Sequence, residues 1–187
     1  MLFPSLFAGQ SEALILTPVL LLWINLATDG LPALALGTDP EAEDIMEREP
    51  RGEDEPVINH RLMLSIGMIG VLVTITGLAL FFYGLQVARQ LVLAQTLLFT
   101  FLLVVEMVRI QLVRSRYDLS PFSDRWLVGA IISSLVLQLA VLYTPLNNFF
   151  GIVPVGTTGW VWIGTAFVAF VGLGFVVENV VSRVVEE

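Results

Sequence analysis

Long apolar runs follow one another along most of the chain, each bounded by charged residues or by proline and glycine. Each run has about the 20 residues that a helix needs to cross the hydrocarbon core of a bilayer. The pattern predicts an all-α, polytopic transmembrane bundle with five full spans, at residues 13–36, 62–85, 91–113, 126–144 and 159–180. Residues 1–9 are too short to span and are interpreted as the end of a truncated helix.

The composition agrees with a membrane protein and excludes several kinds of chemistry. Of 187 residues, 56% are hydrophobic and 14% are charged, whereas about a quarter of the residues in soluble domains are charged. The mean hydropathy is +0.85. Cysteine and lysine are both absent, which rules out thiolate chemistry, Walker A loops and Schiff bases in this chain.

The charged residues are concentrated between the predicted spans. Nine of the 17 acidic residues fall between Asp39 and Glu55, so residues 37–60 are interpreted as a solvated acidic loop, with calcium attraction as a minor alternative. Eight of the nine arginines lie on one side of the predicted bundle, and Arg89 lies on the other. Because short arginine-rich loops stay in the cytoplasm, residues 37–60, 114–125 and 181–187 are predicted to be cytoplasmic.

Small residues recur at helical spacing in the second span, at Gly67, Gly70 and Gly77. Such a stripe predicts close packing against another helix and carries no chemistry.

Three polar residues interrupt the first span, Asn25, Thr28 and Asp29. Their spacing places their oxygen atoms on one face of a helix. Placing an aspartate inside a span costs about 2.5–3.5 kcal/mol on insertion scales, so such a residue normally faces a partner or an aqueous pathway. The face is therefore a candidate cation site, with Asp29 predicted to face the bundle interior. A hydrogen-bonded aspartate beside a structural kink is the alternative.

The same span contains two residues that weaken helical backbone, Gly30 and Pro32. Proline has no N–H to offer a preceding carbonyl, and glycine allows the chain to leave helical geometry. We therefore expect the span to be unwound between about Ala27 and Leu31, as in broken helices whose freed carbonyls coordinate cations.

A second intramembrane carboxylate, Glu106, lies in the third span. It is either a further cation ligand or the partner of Arg109 in an ion pair within one helix turn. All the candidate ligands are oxygen atoms, which Ca²⁺ prefers. They would supply about four to six of the six to eight ligands that Ca²⁺ takes, so further ligands are expected from helices outside this chain.

The segments LLWINLATDGLPALALG, at residues 21–37, and DIMEREPR, at residues 44–51, resemble the sixth membrane helix and the following loop of calcium-type P-type ATPases. LLFTFLLVVEM resembles the eighth helix, and SPFSDRWLVGAIISSLVLQLAVLYTPL resembles the connection to the ninth helix and that helix itself. The resemblance covers nearly the whole chain, and MLFPSLFAG is similar to the outer end of the fifth helix.

The resemblance implies specific roles. Asn25, Thr28 and Asp29 would be the cation ligands of the sixth helix, and Glu106 would stand at the ligand position of the eighth. The transported ion would be Ca²⁺, while ATP and Mg²⁺ would act only in domains that this chain lacks. The partners would be the lipid bilayer and the preceding helices and cytoplasmic domains of the same pump, with no nucleic acid. The chain alone is expected to be inactive as an enzyme.

Two other classes of protein are compatible with part of the pattern. A membrane scaffold or regulator without transport activity could use the small-residue stripe to associate with other helices. A secondary antiporter also uses broken helices with carboxylates, but the chain shows no inverted repeat of its first span. The expected location is the plasma membrane of a prokaryote, with the C-terminus in the cytoplasm.

Overall fold

The computed structural model describes residues 14–37, 60–87, 89–115 and 123–185. Within these helices, the side chains of Thr28 and Asp29 and of residues 178–185, among a few others, are outside the description. The predicted partial helix at residues 1–9 and nearly all of the acidic loop also lie outside the described residues.

The described part of the chain is helical and contains no strand, which confirms the all-α prediction. Five helical stretches in it are long and apolar enough to cross a membrane, as expected. The first of these is composite, because two short α-helices flank a π-helical stretch that we call the π segment. In chain order the elements are α1 (Pro18–Trp23), the π segment (Ile24–Gly30), α2 (Leu31–Leu36), α3 (His60–Val87), α4 (Leu91–Ser115), α5 (Arg125–Tyr143), α6 (Leu146–Phe150) and α7 (Thr157–Val185).

Local sequence signals set the ends of several helices. Thr17 is the N-cap of α1, and Pro18 occupies its first position, where the missing N–H would have no partner in any case. The Asp124 carboxylate accepts a hydrogen bond of 2.8 Å from the backbone N–H of Trp126 at the start of α5. Gly151 ends α6 in the left-handed region, with φ of 64°, a conformation that glycine adopts without steric cost.

Helix α4 lies at the centre of the described bundle. It packs against α3 and α7, and it also contacts the π segment and α5. In its most apolar stretch 61% of the residues are buried, against 11% for α7. The central core along α4 consists of large side chains that are almost inaccessible to solvent, namely Leu97, Phe99, Phe101, Leu103 and Val105.

Close packing between α3 and α4 depends on glycine at two positions. A Cβ atom at Gly84 would lie 3.0 Å from the Ala94 Cα atom, and one at Gly77 would lie 2.9 Å from a methyl group of Leu98. At Gly67 and Gly70 no described atom would lie within 4 Å of an added Cβ atom. Among the described residues, the predicted stripe therefore makes its close contact at Gly77. Gly84, nearer the C-terminal end of α3, also lies against α4, and this contact was not predicted from the sequence.

The outer surface of the described bundle is strongly apolar. Large hydrophobic side chains that are more than 60% exposed occur on four of the spans, and they include Leu22, Leu34, Ile75, Phe175 and Val168. Such a surface suits contact with lipid or with further helices rather than with water.

Candidate cation site in the first span

The candidate ligands Asn25, Thr28 and Asp29 all lie within the π segment. The expectation of an unwound stretch from Ala27 to Leu31 is wrong in form, because the backbone stays helical and widens into i→i+5 geometry from Ile24 onward. Leu31 keeps ordinary right-handed helical angles, with φ of −66° and ψ of −50°. A π-helix keeps most backbone groups hydrogen-bonded where a bilayer offers no water, which favours it over an unwound chain.

Pro32 explains where the π geometry ends. In an i→i+5 series the N–H of residue 32 would donate to the carbonyl of Ala27, and Pro32 has no N–H. The Ala27 carbonyl instead accepts a hydrogen bond of 2.6 Å from the Ser134 hydroxyl of α5. Ala27 and Ser134 are both buried, at 3% and 0% exposure.

The structure describes the predicted ligands unequally. The Asn25 side chain is exposed in the described chain. The side chains of Thr28 and Asp29 are not described, so the prediction that Asp29 faces the bundle interior lies outside the described side chains. Among the side chains that are described, no three carboxylate or imidazole groups lie close enough together to hold a metal ion.

Glu106 lies on α4, the helix that also contacts the π segment. One of its carboxylate oxygens is 3.6 Å from a guanidinium nitrogen of Arg109, three residues further along the helix. The two side chains are 36% and 41% exposed on a stretch of α4 that belongs to a candidate span, so both are open to groups outside the described bundle. The ion-pair alternative thus has a geometric basis, while a ligand role for Glu106 stays a prediction.

Sequence reasoning missed two buried polar residues of α5 that contact the first span, Ser134 and Gln138. The Gln138 side-chain oxygen accepts a bond of 3.2 Å from the Trp23 indole N–H, and its amide donates to the Thr100 hydroxyl of α4 at 3.4 Å. The available signal was their spacing of four residues in a span that is mostly apolar. Polar side chains at such a spacing share one face, and inside a membrane that face normally meets other helices.

Comparison with known proteins shows which family the chain belongs to. The family model described as cation transporting ATPase, C-terminus, matches residues 13–181, which is most of the chain. The chain belongs to this family. Its relatives include a calcium-transporting ATPase of Bacillus subtilis, 35% identical over 153 residues, and a probable calcium-transporting ATPase of Trypanosoma brucei brucei, 36% identical over 187 residues. Each alignment covers 79% of this chain and 17% of the relative.

A third relative is an endoplasmic reticulum-type calcium-transporting ATPase of Arabidopsis thaliana, 31% identical over 178 residues, with 78% of this chain and 18% of the relative covered. The resemblance to the C-terminal membrane region of calcium-type P-type ATPases is therefore confirmed. The chain is an integral membrane protein and forms the C-terminal membrane domain of a cation-transporting ATPase. Location in a prokaryotic plasma membrane stays a prediction, because the relatives include a pump of the endoplasmic reticulum type.

Proposed function

We propose that this chain contributes part of an intramembrane Ca²⁺ site, formed by Asn25, Thr28, Asp29 and Glu106, to an ATP-driven pump. The observation that carries the proposal is the π segment. It brings an amide, a hydroxyl and a carboxylate into seven consecutive residues of a membrane-spanning helix. π-Helical turns occur frequently at functional sites, and carboxylates inside a span usually serve an ion or a partner.

The chemistry of these residues favours a hard cation. Ca²⁺ takes six to eight oxygen ligands, and the four candidate side chains offer only oxygen atoms. The relatives are named as calcium-transporting ATPases, which supports Ca²⁺ as the ion. The chain spans about a sixth of the length of those relatives, so the remaining ligands and the ATP-hydrolysing machinery would come from the rest of such a pump.

The proposal is tested in a full-length pump that carries this chain as its C-terminal membrane region, for example a chimera built on the Bacillus subtilis relative. The substitution Asp29→Asn removes a carboxylate charge and nearly preserves the volume of the side chain. We expect it to abolish calcium-dependent phosphoenzyme formation from ATP, because a cation site that loses its charged ligand loses much of its affinity.

The matched control is Asp44→Asn, the same chemical change in the acidic segment between spans. It should leave the calcium dependence of phosphoenzyme formation unchanged. If Asp29→Asn also leaves that dependence unchanged, Asp29 is not a ligand and the proposed site is wrong.

Glu106→Gln separates the two roles left open for Glu106. If Glu106 is a ligand of one of two ions, the substitution should lower the affinity or the number of ions transported per cycle, with a smaller effect than Asp29→Asn. If Glu106 serves only as a partner of Arg109, the calcium dependence should stay unchanged, because the pair then contacts no transported ion. Isotopic ⁴⁵Ca²⁺ uptake measured beside phosphoenzyme formation distinguishes the two results.

The isolated chain tests whether the rest of the pump must supply further Ca²⁺ ligands and the ATP-hydrolysing machinery. We expect it neither to hydrolyse ATP nor to bind Ca²⁺ with micromolar affinity, because its four candidate side chains cannot complete the shell of six to eight ligands. Micromolar binding to the purified chain in detergent, measured by calorimetry, would show that this set of ligands is sufficient without the rest of the pump.

A further inference from the structure

The hydroxyl of Ser134 supplies a hydrogen-bond donor that the first span lacks. Four consecutive bonds of an i→i+5 series fit within the π segment and its flanking residues, and the next bond in the series would need an N–H at residue 32. Pro32 cannot supply it. Ser134 donates to the Ala27 carbonyl at 2.6 Å, so a side chain from α5 replaces the missing backbone donor.

A second contact from the same helix face holds the beginning of the π segment. Gln138 lies four residues after Ser134 and accepts a bond from the indole N–H of Trp23, the residue that precedes the π segment. Ser134 and Gln138 are 0% and 2% exposed, so neither hydrogen bond competes with solvent. Together the two contacts fix the first span relative to α5 at the two points between which Asn25 lies.

We propose that Ser134 is a positioning residue for the cation site: by capping the Ala27 carbonyl it keeps residues 24–30 in π geometry and so sets the placement of the Thr28 and Asp29 backbone. This inference rests on the proposed function for its effect on calcium, but its structural part does not depend on which ion is bound. Without the hydroxyl, a buried carbonyl would lack its partner, and the helix would relax toward another hydrogen-bonding register.

The first experiment compares Ser134→Ala with Ser133→Ala in the same full-length pump. Ser133 is an exposed neighbour that lines the open groove between α2 and α5, so its substitution makes the same chemical change away from the Ala27 carbonyl. Cross-helix hydrogen bonds in membranes are modest, and we expect Ser134→Ala to lower the apparent calcium affinity about three- to tenfold while maximal ATP hydrolysis is retained. Ser133→Ala should change neither quantity.

A double-mutant cycle with Pro32 distinguishes positioning from ordinary packing. In the Pro32→Ala background residue 32 has an N–H that can donate to Ala27, so the additional substitution Ser134→Ala should lower the affinity less than twofold. An equal loss in both backgrounds would show that Ser134 acts through the packing of α5 and would overturn the inference. An unchanged affinity in Ser134→Ala with Pro32 present would also overturn it.

A calcium-free measurement keeps the inference separate from the proposed site. Hydrogen exchange of the backbone amides of residues 28–31, measured in the pump without calcium, should be faster in Ser134→Ala than in the wild type or in Ser133→Ala. Unchanged exchange would refute the role of Ser134 even if Asp29→Asn abolishes the calcium response. Faster exchange together with a normal calcium response in Asp29→Asn would leave the role of Ser134 in place and reject the proposed site.

Discussion

The interface between α3 and α4 differs in kind from the interface between α5 and the first span. At the first, Gly77 and Gly84 let two regular helices approach, and the neighbouring atoms closest to these glycines are carbon atoms of α4. At the second, Ser134 and Gln138 make hydrogen bonds to a helix with irregular backbone. Among the described residues, the second interface supplies buried polar side chains that bond to the first span beside the candidate site.

The contrast shows two ways in which helices associate where the hydrophobic effect does not drive them together. Regular helices gain van der Waals contact when small residues allow their backbones to approach. An irregular helix leaves backbone groups that must find partners, and a neighbouring helix can supply them. We therefore expect the α3–α4 interface to respond to side-chain volume and the α5 interface to respond to hydrogen-bonding capacity.

The largest expected effect concerns the irregular helix itself. Pro32→Ala gives residue 32 an N–H that can donate to the Ala27 carbonyl in place of the Ser134 hydroxyl, which should extend the π geometry past Gly30 and shift the backbone of the candidate ligands. The calcium concentration for half-maximal phosphoenzyme formation should then rise about tenfold, equivalent to about 1.4 kcal/mol. Pro18→Ala is the matched control, since Pro18 occupies the first position of α1, where a missing N–H has no consequence. Equal responses to the two substitutions would mean that the π segment does not depend on Pro32.

The regular interface should respond to added volume. Gly84→Val places side-chain atoms against the Ala94 backbone, and such overpacking lowers the free energy of unfolding by about 1–3 kcal/mol. Gly70→Val makes the same change in the same helix, where an added Cβ atom meets no described neighbour, so both variants share the change in helix propensity. The difference in their unfolding by detergent titration in mixed micelles measures the packing contribution, and no difference would remove the case for close approach at Gly84.

Loss of the Gln138 contact should have a smaller effect. Gln138→Leu replaces the amide by an apolar side chain of similar size, so the Trp23 indole N–H loses its acceptor and the Thr100 hydroxyl loses a donor. The expected decrease in unfolding free energy lies between about 0.6 and about 1.7 kcal/mol, the mean and the maximum measured for single hydrogen bonds between membrane helices. Gln86→Leu, at an exposed position of α3, should not decrease it. A stability of Gln138→Leu equal to or above the wild type would show that this bond does not hold α5 to the first span.

The smallest expected effect is that of the ion pair on α4. Arg109→Gln removes a partner of Glu106 and should lower the free energy of unfolding by less than about 1 kcal/mol, because a pair three residues apart on one helix contributes about 0.2–0.5 kcal/mol in isolated helices. In the full-length pump, calcium affinity should change less than threefold if Glu106 is itself a ligand. A loss as large as that of Asp29→Asn would mean that Arg109, and not Glu106 alone, is required for the calcium response.

Much of the architecture could be predicted because it depends on local composition. The uncharged run from Trp126 to Val177 and the other apolar runs locate the spans, since each must satisfy the length of the bilayer core. The interruption of the first span was also predictable from Gly30 and Pro32. The backbone conformation at the interruption was not predictable, because glycine and proline are compatible with both a π-helix and an unwound chain. The two conformations differ in which group donates a hydrogen bond to the displaced carbonyl.

The sequence by itself determined the five spans, the family and the candidate ligands, because each follows from residues close together along the chain. Only the tertiary structure decided that the interruption is helical, that Ser134 caps Ala27 across 107 residues of sequence, and that Gly84 rather than Gly70 lies against a neighbouring helix. Such pairings depend on how each helix is rotated about its axis. A membrane helix has hydrophobic residues on most of its sides, so the hydrophobic pattern of the sequence does not specify that rotation.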